Sequence, residues 1–126
     1  MINETDLKGF TGTENYYKDF MGLLLTDGTK FLMDNLKCGW LISDIAVINA
    51  MEKKVLDNRA EGNNFLIVNI VIDREHNKLY WTLKEDTGKP ILYRQDYNFN
   101  SIAENYEGNE INLYLIDNIL LLTSEY

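Results

Sequence analysis

The sequence predicts an α+β fold in which N-terminal helices pack on an antiparallel sheet of about five strands. Three observations carry this. Phe65–Asp73 (Phe-Leu-Ile-Val-Asn-Ile-Val-Ile-Asp) is a β-branched apolar run closed by a charged turn, the pattern of a central strand with both faces covered. Ahead of it, Leu41, Ile45, Ile48, Met51 and Val55 recur at three- and four-residue intervals, which predicts a long helix over Trp40–Asp57. Behind it, short alternating segments are separated by turn residues, as in a meander.

The remaining elements follow in order. Met1–Lys8 is a polar lead-in expected to be frayed. Thr11 and Glu14 have capping-box spacing, predicting a short helix over Thr13–Phe20 with Tyr16, Tyr17 and Phe20 on its buried side. Met21–Leu25 reads as a loop or a short strand. Thr26 or Asp27 is the expected N-cap of a helix over Gly28–Leu36 that buries Phe31, Leu32 and Leu36. Lys37-Cys38-Gly39 breaks it, with Gly39 supplying the permissive backbone. Asn58–Asn64 is an exposed loop. Arg74–Asn77 forms a hairpin turn into a strand over Lys78–Glu85, whose Leu79, Trp81 and Leu83 alternate with Tyr80 and Thr82. Asp86–Lys89 turns again, and Pro90 opens a strand over Ile91–Gln95. Asn98–Asn109 is a polar excursion with a helical turn at Ser101–Asn105. Strands over Glu110–Ile116 and Ile119–Thr123, joined by Asp117-Asn118, complete the sheet.

The bulk numbers set limits. A chain of 126 residues, 45% hydrophobic, fits one folded domain spanning 1–126. Its formal net charge of -8 and pI near 4.5 oppose direct binding to phosphate backbones or anionic membranes, and favour a basic protein surface. The single cysteine, Cys38, precludes an internal disulfide and fits a reducing cytoplasm. Ile2–Asp6 is acidic and polar, unlike a secretion signal. A soluble, cytoplasmic protein is expected.

No motif announces chemistry. His76, the one histidine, stands in a predicted turn, where solvation explains it better than base catalysis. One histidine and one cysteine make a poor metal set, and Cys38 reads as a buried structural thiol. Asp73, Glu75, Glu85 and Asp86 gather at two hairpin ends and raise the idea of a two-metal site, although turns collect acidic residues anyway. The eight glycines form no phosphate loop. Tyr80, Trp81, Tyr93, Tyr97 and Phe99 lack the basic residues of a base-stacking platform. No cofactor and no metal is expected.

One feature remains. Residues 1–60 carry nine carboxylates against seven cations, whereas 61–126 carry eleven against five. From Gln95 to Tyr126 there is no Lys, Arg or His, but Asp96, Glu104, Glu107, Glu110, Asp117 and Glu125 are present, interleaved with Tyr97, Phe99, Tyr106, Tyr114 and Tyr126. Carboxylates beside aromatic rings suit a surface that meets an arginine- and lysine-lined groove. Asp96, Tyr97, Glu104, Tyr106, Glu107 and Glu110 are the candidate partner-binding residues. An acidic face kept for solubility is the alternative.

Four segments in order carry a resemblance: Phe10–Tyr17 (FTGTENYY), Thr26-Asp27-Gly28 with Phe31-Leu32, Trp40–Ala46 (WLISDIA) and Leu113–Tyr126 (LYLIDNILLLTSEY). Together they resemble a family of small, functionally unassigned proteins of bacterial, plasmid and phage genomes. The chain departs from it at Lys37-Cys38, where small and aromatic residues are usual, and at Thr123, where proline is common. The family supplies no catalytic residues. Its mobile-element setting implies a bacterial host cell and an anti-defence role, similar to that of small acidic anti-CRISPR inhibitors. The expected function is therefore a non-enzymatic inhibitor of a basic nucleic-acid-binding protein, most concretely an RNA-guided CRISPR nuclease. The alternatives are a small hydrolase using Asp73 and Glu75, and a structural module that self-associates through an exposed sheet face.

Overall fold

Side-chain alternation along Phe65–Asp73 decides how the layers stack. In the computed structural model, which describes residues 1–99 and 101–126, Leu66, Val68, Ile70 and Ile72 are buried beneath the helices. Phe65, Ile67, Asn69 and Val71 stand on the opposite face, only half-buried. The central strand is therefore covered by helices on one side only. Its outward β-branched residues are shielded by side chains of the neighbouring strands rather than by a second layer.

The described elements are α1 (Glu4–Lys8), β1 (Tyr16–Lys18), β2 (Leu24–Thr26), α2 (Asp27–Leu36), α3 (Gly39–Met51), α4 (Lys53–Ala60), β3 (Phe65–Asp73), β4 (Lys78–Lys84), β5 (Ile91–Tyr97), β6 (Glu110–Ile116) and β7 (Ile119–Leu122). Short 3₁₀ turns at Phe20–Gly22, Ser101–Glu104 and Thr123–Glu125 complete them. Asn100, inside the polar excursion expected over Asn98–Asn109, lies outside the described residues.

The α+β class is observed, but the sheet has seven strands rather than about five, in the order β1-β2-β7-β6-β3-β4-β5. It is also mixed. β2 runs parallel to β7 while every other pair is antiparallel. The extra strands come from the N-terminal stretch. Tyr16–Lys18, expected within a helix, extends beside Leu24–Thr26 because Thr13 and Glu14 bond to Asp27 instead of capping a helix of their own.

Four other expectations are corrected. Residues 1–8 are ordered: Asn3 caps α1, Leu7 is buried, and Ile2 forms a bridge with Tyr106. Lys37, not Gly39, takes the left-handed conformation that ends α2, at φ 53°, while Gly39 opens α3. The helix expected over Trp40–Asp57 breaks at Glu52, which is extended (φ -71°, ψ 124°). That break takes Met51 and Val55 off a common stripe, so Val55 is buried and Met51 is exposed. The predicted loop from Asn58 begins too early, since α4 continues to Ala60.

One core fills the space between the helices and the sheet, including Leu32, Leu41, Ile42, Ile45, Ile70, Trp81 and Leu113. The buried polar residues Thr26, Thr29, Asn49 and Asn58 each have hydrogen-bond partners. Asn49 donates to the Asp117 carbonyl at 3.1 Å and accepts from Arg59 at 2.5 Å, which ties α3, α4 and the β6–β7 turn together. Replacing Ile70 by Ala on the central strand should cost about 2–5 kcal/mol in chemical denaturation with little change in slope. A loss under about 1 kcal/mol would mean that Ile70 is not packed as described.

Candidate functional site

The first turn of α2 presents backbone amides that have no partner within the helix. Thr26, the N-cap, accepts from the Thr29 N–H at 3.3 Å, and its hydroxyl donates to Glu125 Oε1 at 2.6 Å. The Glu125 carboxylate also accepts from the Leu122 N–H (2.9 Å) and the Gly28 N–H (3.0 Å). Gly28 has no room for a side chain: a Cβ would stand 2.5 Å from Leu122 Cδ1 and 2.6 Å from Glu125 Oε1. Asp27 faces the other way. Its carboxylate accepts from the Glu14 N–H (2.8 Å), the Asn15 N–H (3.4 Å), Asn15 Nδ2 (3.4 Å) and the Tyr17 hydroxyl (3.1 Å). Its own N–H donates to Thr13 Oγ1 at 2.8 Å.

The Thr-Asp-Gly, Phe10–Tyr17 and C-terminal segments of the resemblance thus meet at one helix end. Hydrogen bonds, above all the one from the Glu14 N–H, hold the Asp27 carboxyl below its ordinary value of 3.8. A shallow groove of about 600 Å³ lies over this junction, lined by Phe10, Tyr17, Lys30 and Phe31 among others. The polar atoms of Asp27 within it are already engaged. This junction is built to hold the chain.

The candidate partner-binding residues do not form one surface. Tyr106 is 1% exposed, and its ring lies so close to Gly108 that a Cβ there would stand 2.6 Å from Cε2. Tyr97 is half-buried, donating to Asp44 Oδ2 (2.7 Å) and accepting from Trp81 Nε1 (2.9 Å), with Trp40 edge-on at 5.0 Å. Burial and the bond to Asp44 push its hydroxyl well above the ordinary tyrosine value. Both rings serve the interior, so they are not available as anchors in this structure. Asp96 is exposed on β5, where it takes a bidentate pair from Arg94.

Glu107 follows the Ile2–Tyr106 bridge and Glu110 opens β6 nearby, while Glu104 closes the preceding 3₁₀ turn. Here α1, unread in the sequence, contributes two more carboxylates. Asn3 donates through its N–H to Asp6 (2.9 Å) and through Nδ2 to Glu107 (3.4 Å). Glu4 and Glu110 share the rim of a small cleft of about 90 Å³. Lys8 lies 3.7 Å from Glu4, and Arg74 donates to the carbonyls of Ala103, Tyr106 and Gly108. Asparagine capping of a short N-terminal helix was the signal available for this half of the cluster.

The cluster borders the open face of the sheet. Strand register sets Glu110, Val71, Tyr80 and Asp96 in one row across β6, β3, β4 and β5. The next row holds Asn112, Asn69, Thr82 and Arg94; Asn69 donates to Glu110 (2.6 Å) and Asn112 (2.8 Å). Farther along, Phe65, Tyr114 and Tyr126 form an aromatic triad with ring centroids 4.8–5.4 Å apart. The open face therefore carries charged groups at one end, Glu110 and Asp96 with Arg94 and Lys78, and aromatic rings at the other.

Asp73 and Glu75 stand at the β3–β4 turn, Glu85 and Asp86 at the β4–β5 turn. These turns lie at opposite ends of β4, so the four carboxylates do not converge, and no metal-holding group of three occurs among the described residues. His76 Nδ1 is 2.9 Å from Asp73 in an exposed turn. Cys38 is buried between α2 and α3, and loss of solvation raises its thiol to about 12. No described helix is long and apolar enough to cross a membrane.

A family model matches the whole length, residues 1–126. The chain belongs to DUF6876, a family of unknown function. No curated protein and no solved structure matches it. The DUF6876 fold in this chain thus places three of the four recognised segments at the α2 junction.

Three variants test that junction. Gly28→Ala should lower stability although alanine favours helices by about 1 kcal/mol, and Glu125→Gln should cost about 1–3 kcal/mol in denaturant titrations. Asp27→Asn addresses pH. A depressed folded-state value adds stability that is present above 3.8 and lost as pH falls through the lower folded value. The stability difference between wild type and Asp27→Asn should therefore be flat above that range and shrink below it; a difference that grows on acidification would contradict the assignment.

Proposed function

We propose that this DUF6876 chain is a non-enzymatic binding protein whose acidic end docks in a cationic groove of a nucleic-acid-handling protein and blocks it by occupancy. The observation that carries the proposal is that Glu4 and Glu110 rim one cleft beside the Ile2–Tyr106 bridge, where Asn3 also bonds both Asp6 and Glu107. Carboxylates held close together concentrate negative potential, which steers encounter with a basic partner and repels nucleic acid itself. The half-exposed Val71, in the same row as Glu110, offers contact area beside the charge, while the neighbouring Tyr80 ring is covered by Arg94. An RNA-guided nuclease of a bacterial host is the most specific partner consistent with the charge and with the anti-defence role suggested by the resemblance. Occupancy needs no reacting group.

A cleavage assay with purified effectors tests this. Inhibition should saturate at stoichiometric chain and weaken with salt. Combined Glu104→Lys, Glu107→Lys and Glu110→Lys should weaken it on the order of tenfold to a hundredfold at low ionic strength. Inhibition that survives the triple reversal, with the fold intact by circular dichroism, would reject this surface. Sub-stoichiometric turnover would reject occupancy altogether.

A further inference from the structure

The sheet ends differently on its two sides. β1 offers three residues, too few to template another strand, whereas β5 offers seven, Ile91–Tyr97, with β4 on one side only. Apart from the ladder with β4, no described hydrogen bond uses a backbone group of β5. A free edge of that length invites pairing unless its side chains forbid it. Like charges would forbid it. Here the outward pair is of opposite sign: Arg94 and Asp96, two residues apart on one face, are joined by Nε and Nη2 contacts of 2.9–3.2 Å.

That spacing is self-complementary. When two copies meet antiparallel about a two-fold axis through Gln95, Arg94 of each falls opposite Asp96 of the other. Tyr93 falls opposite Tyr97 on the helix-facing side, where both rings already pack within their own chain and leave the pairing to the backbone and the charges. Ile91 and Phe99, exposed at the two ends of the strand, are carried to the same border. So is the α3–α4 corner, where α4 packs beside β5 and Met51 and Leu56 are exposed.

We infer that two copies of the chain associate through β5, continuing the sheet across a two-fold axis and closing Arg94 and Asp96 of both copies into an alternating ring of four charges. The occupant of this edge is a second copy because the charge order matches its own reversal. The inference rests on β5 and not on the carboxylates of the acidic end, although the Arg94 guanidinium lies 3.9 Å from the centroid of the Tyr80 ring.

Sedimentation equilibrium over micromolar to hundred-micromolar chain tests it. Wild type should reach a dimer. Arg94→Asp alone and Asp96→Arg alone each set like charges opposite one another at both symmetry-related positions, and should weaken association by about tenfold. The double variant Arg94→Asp with Asp96→Arg restores opposite signs and should recover the wild-type constant. Thermal melts of all three variants confirm folding, and the double variant keeps the result interpretable if one single variant unfolds. A monomer throughout the range, a dimer indifferent to the single reversals, or a double variant no better than the singles would each overturn the pairing. Capture of an extended peptide by a monomeric chain would assign the edge to a different occupant and equally overturn it.

Discussion

The structure depends on a carboxylate at a helix start. Glu125 supplies acceptors to Gly28, Thr26 and Leu122 where α2 would otherwise leave amides unsatisfied. The positive end of the helix favours an anion there. What distinguishes this cap is its origin, since the acceptor lies 97 residues beyond the amide it serves. The same contact holds the chain end beside β2 and supports the parallel β2–β7 pair, whose strands are separated by nearly the entire fold. Gly28 is part of the same device, because its missing Cβ is what admits Leu122 and Glu125.

Local chemistry was legible in the sequence. β3 spans the apolar run and β6 the alternating segment from which they were predicted, although β3 is covered on one face only, and Thr26 caps α2 as its hydroxyl and position suggest. What was not legible depends on partners far along the chain. Nothing in Tyr16–Lys18 says strand until Asp27 draws Thr13, Glu14 and Asn15 away from a helical path. The break at Glu52 has no glycine or proline to announce it, and Lys37 takes a conformation in which glycine is the usual choice.

The candidate site shows the same division. Sequence shows sign, so the excess of carboxylates after Gln95 was plain, but it does not show orientation. Glu107 and Glu110 stand by the Ile2–Tyr106 bridge, Asp96 goes to the far edge with Arg94, and Tyr97 and Tyr106 turn inward. The carboxylates that complete the cluster, Glu4 and Asp6, come from the segment expected to be frayed. Cohesion and the proposed recognition thus draw on different residues: the segments of the resemblance lock α2 to distant parts of the chain, while the acidic end and the β5 edge remain turned outward.

Amide hydrogen exchange read residue by residue tests the central claim most directly. Gly28 stands in the first turn of a helix, where amides ordinarily fray and exchange readily. If the Glu125 carboxylate holds it as described, the Gly28 and Leu122 amides will be protected to the level of the central β3 amides and open only with global unfolding. Exchange of Gly28 at the rate of an exposed loop amide would show that the chain end is not the cap on which this architecture rests.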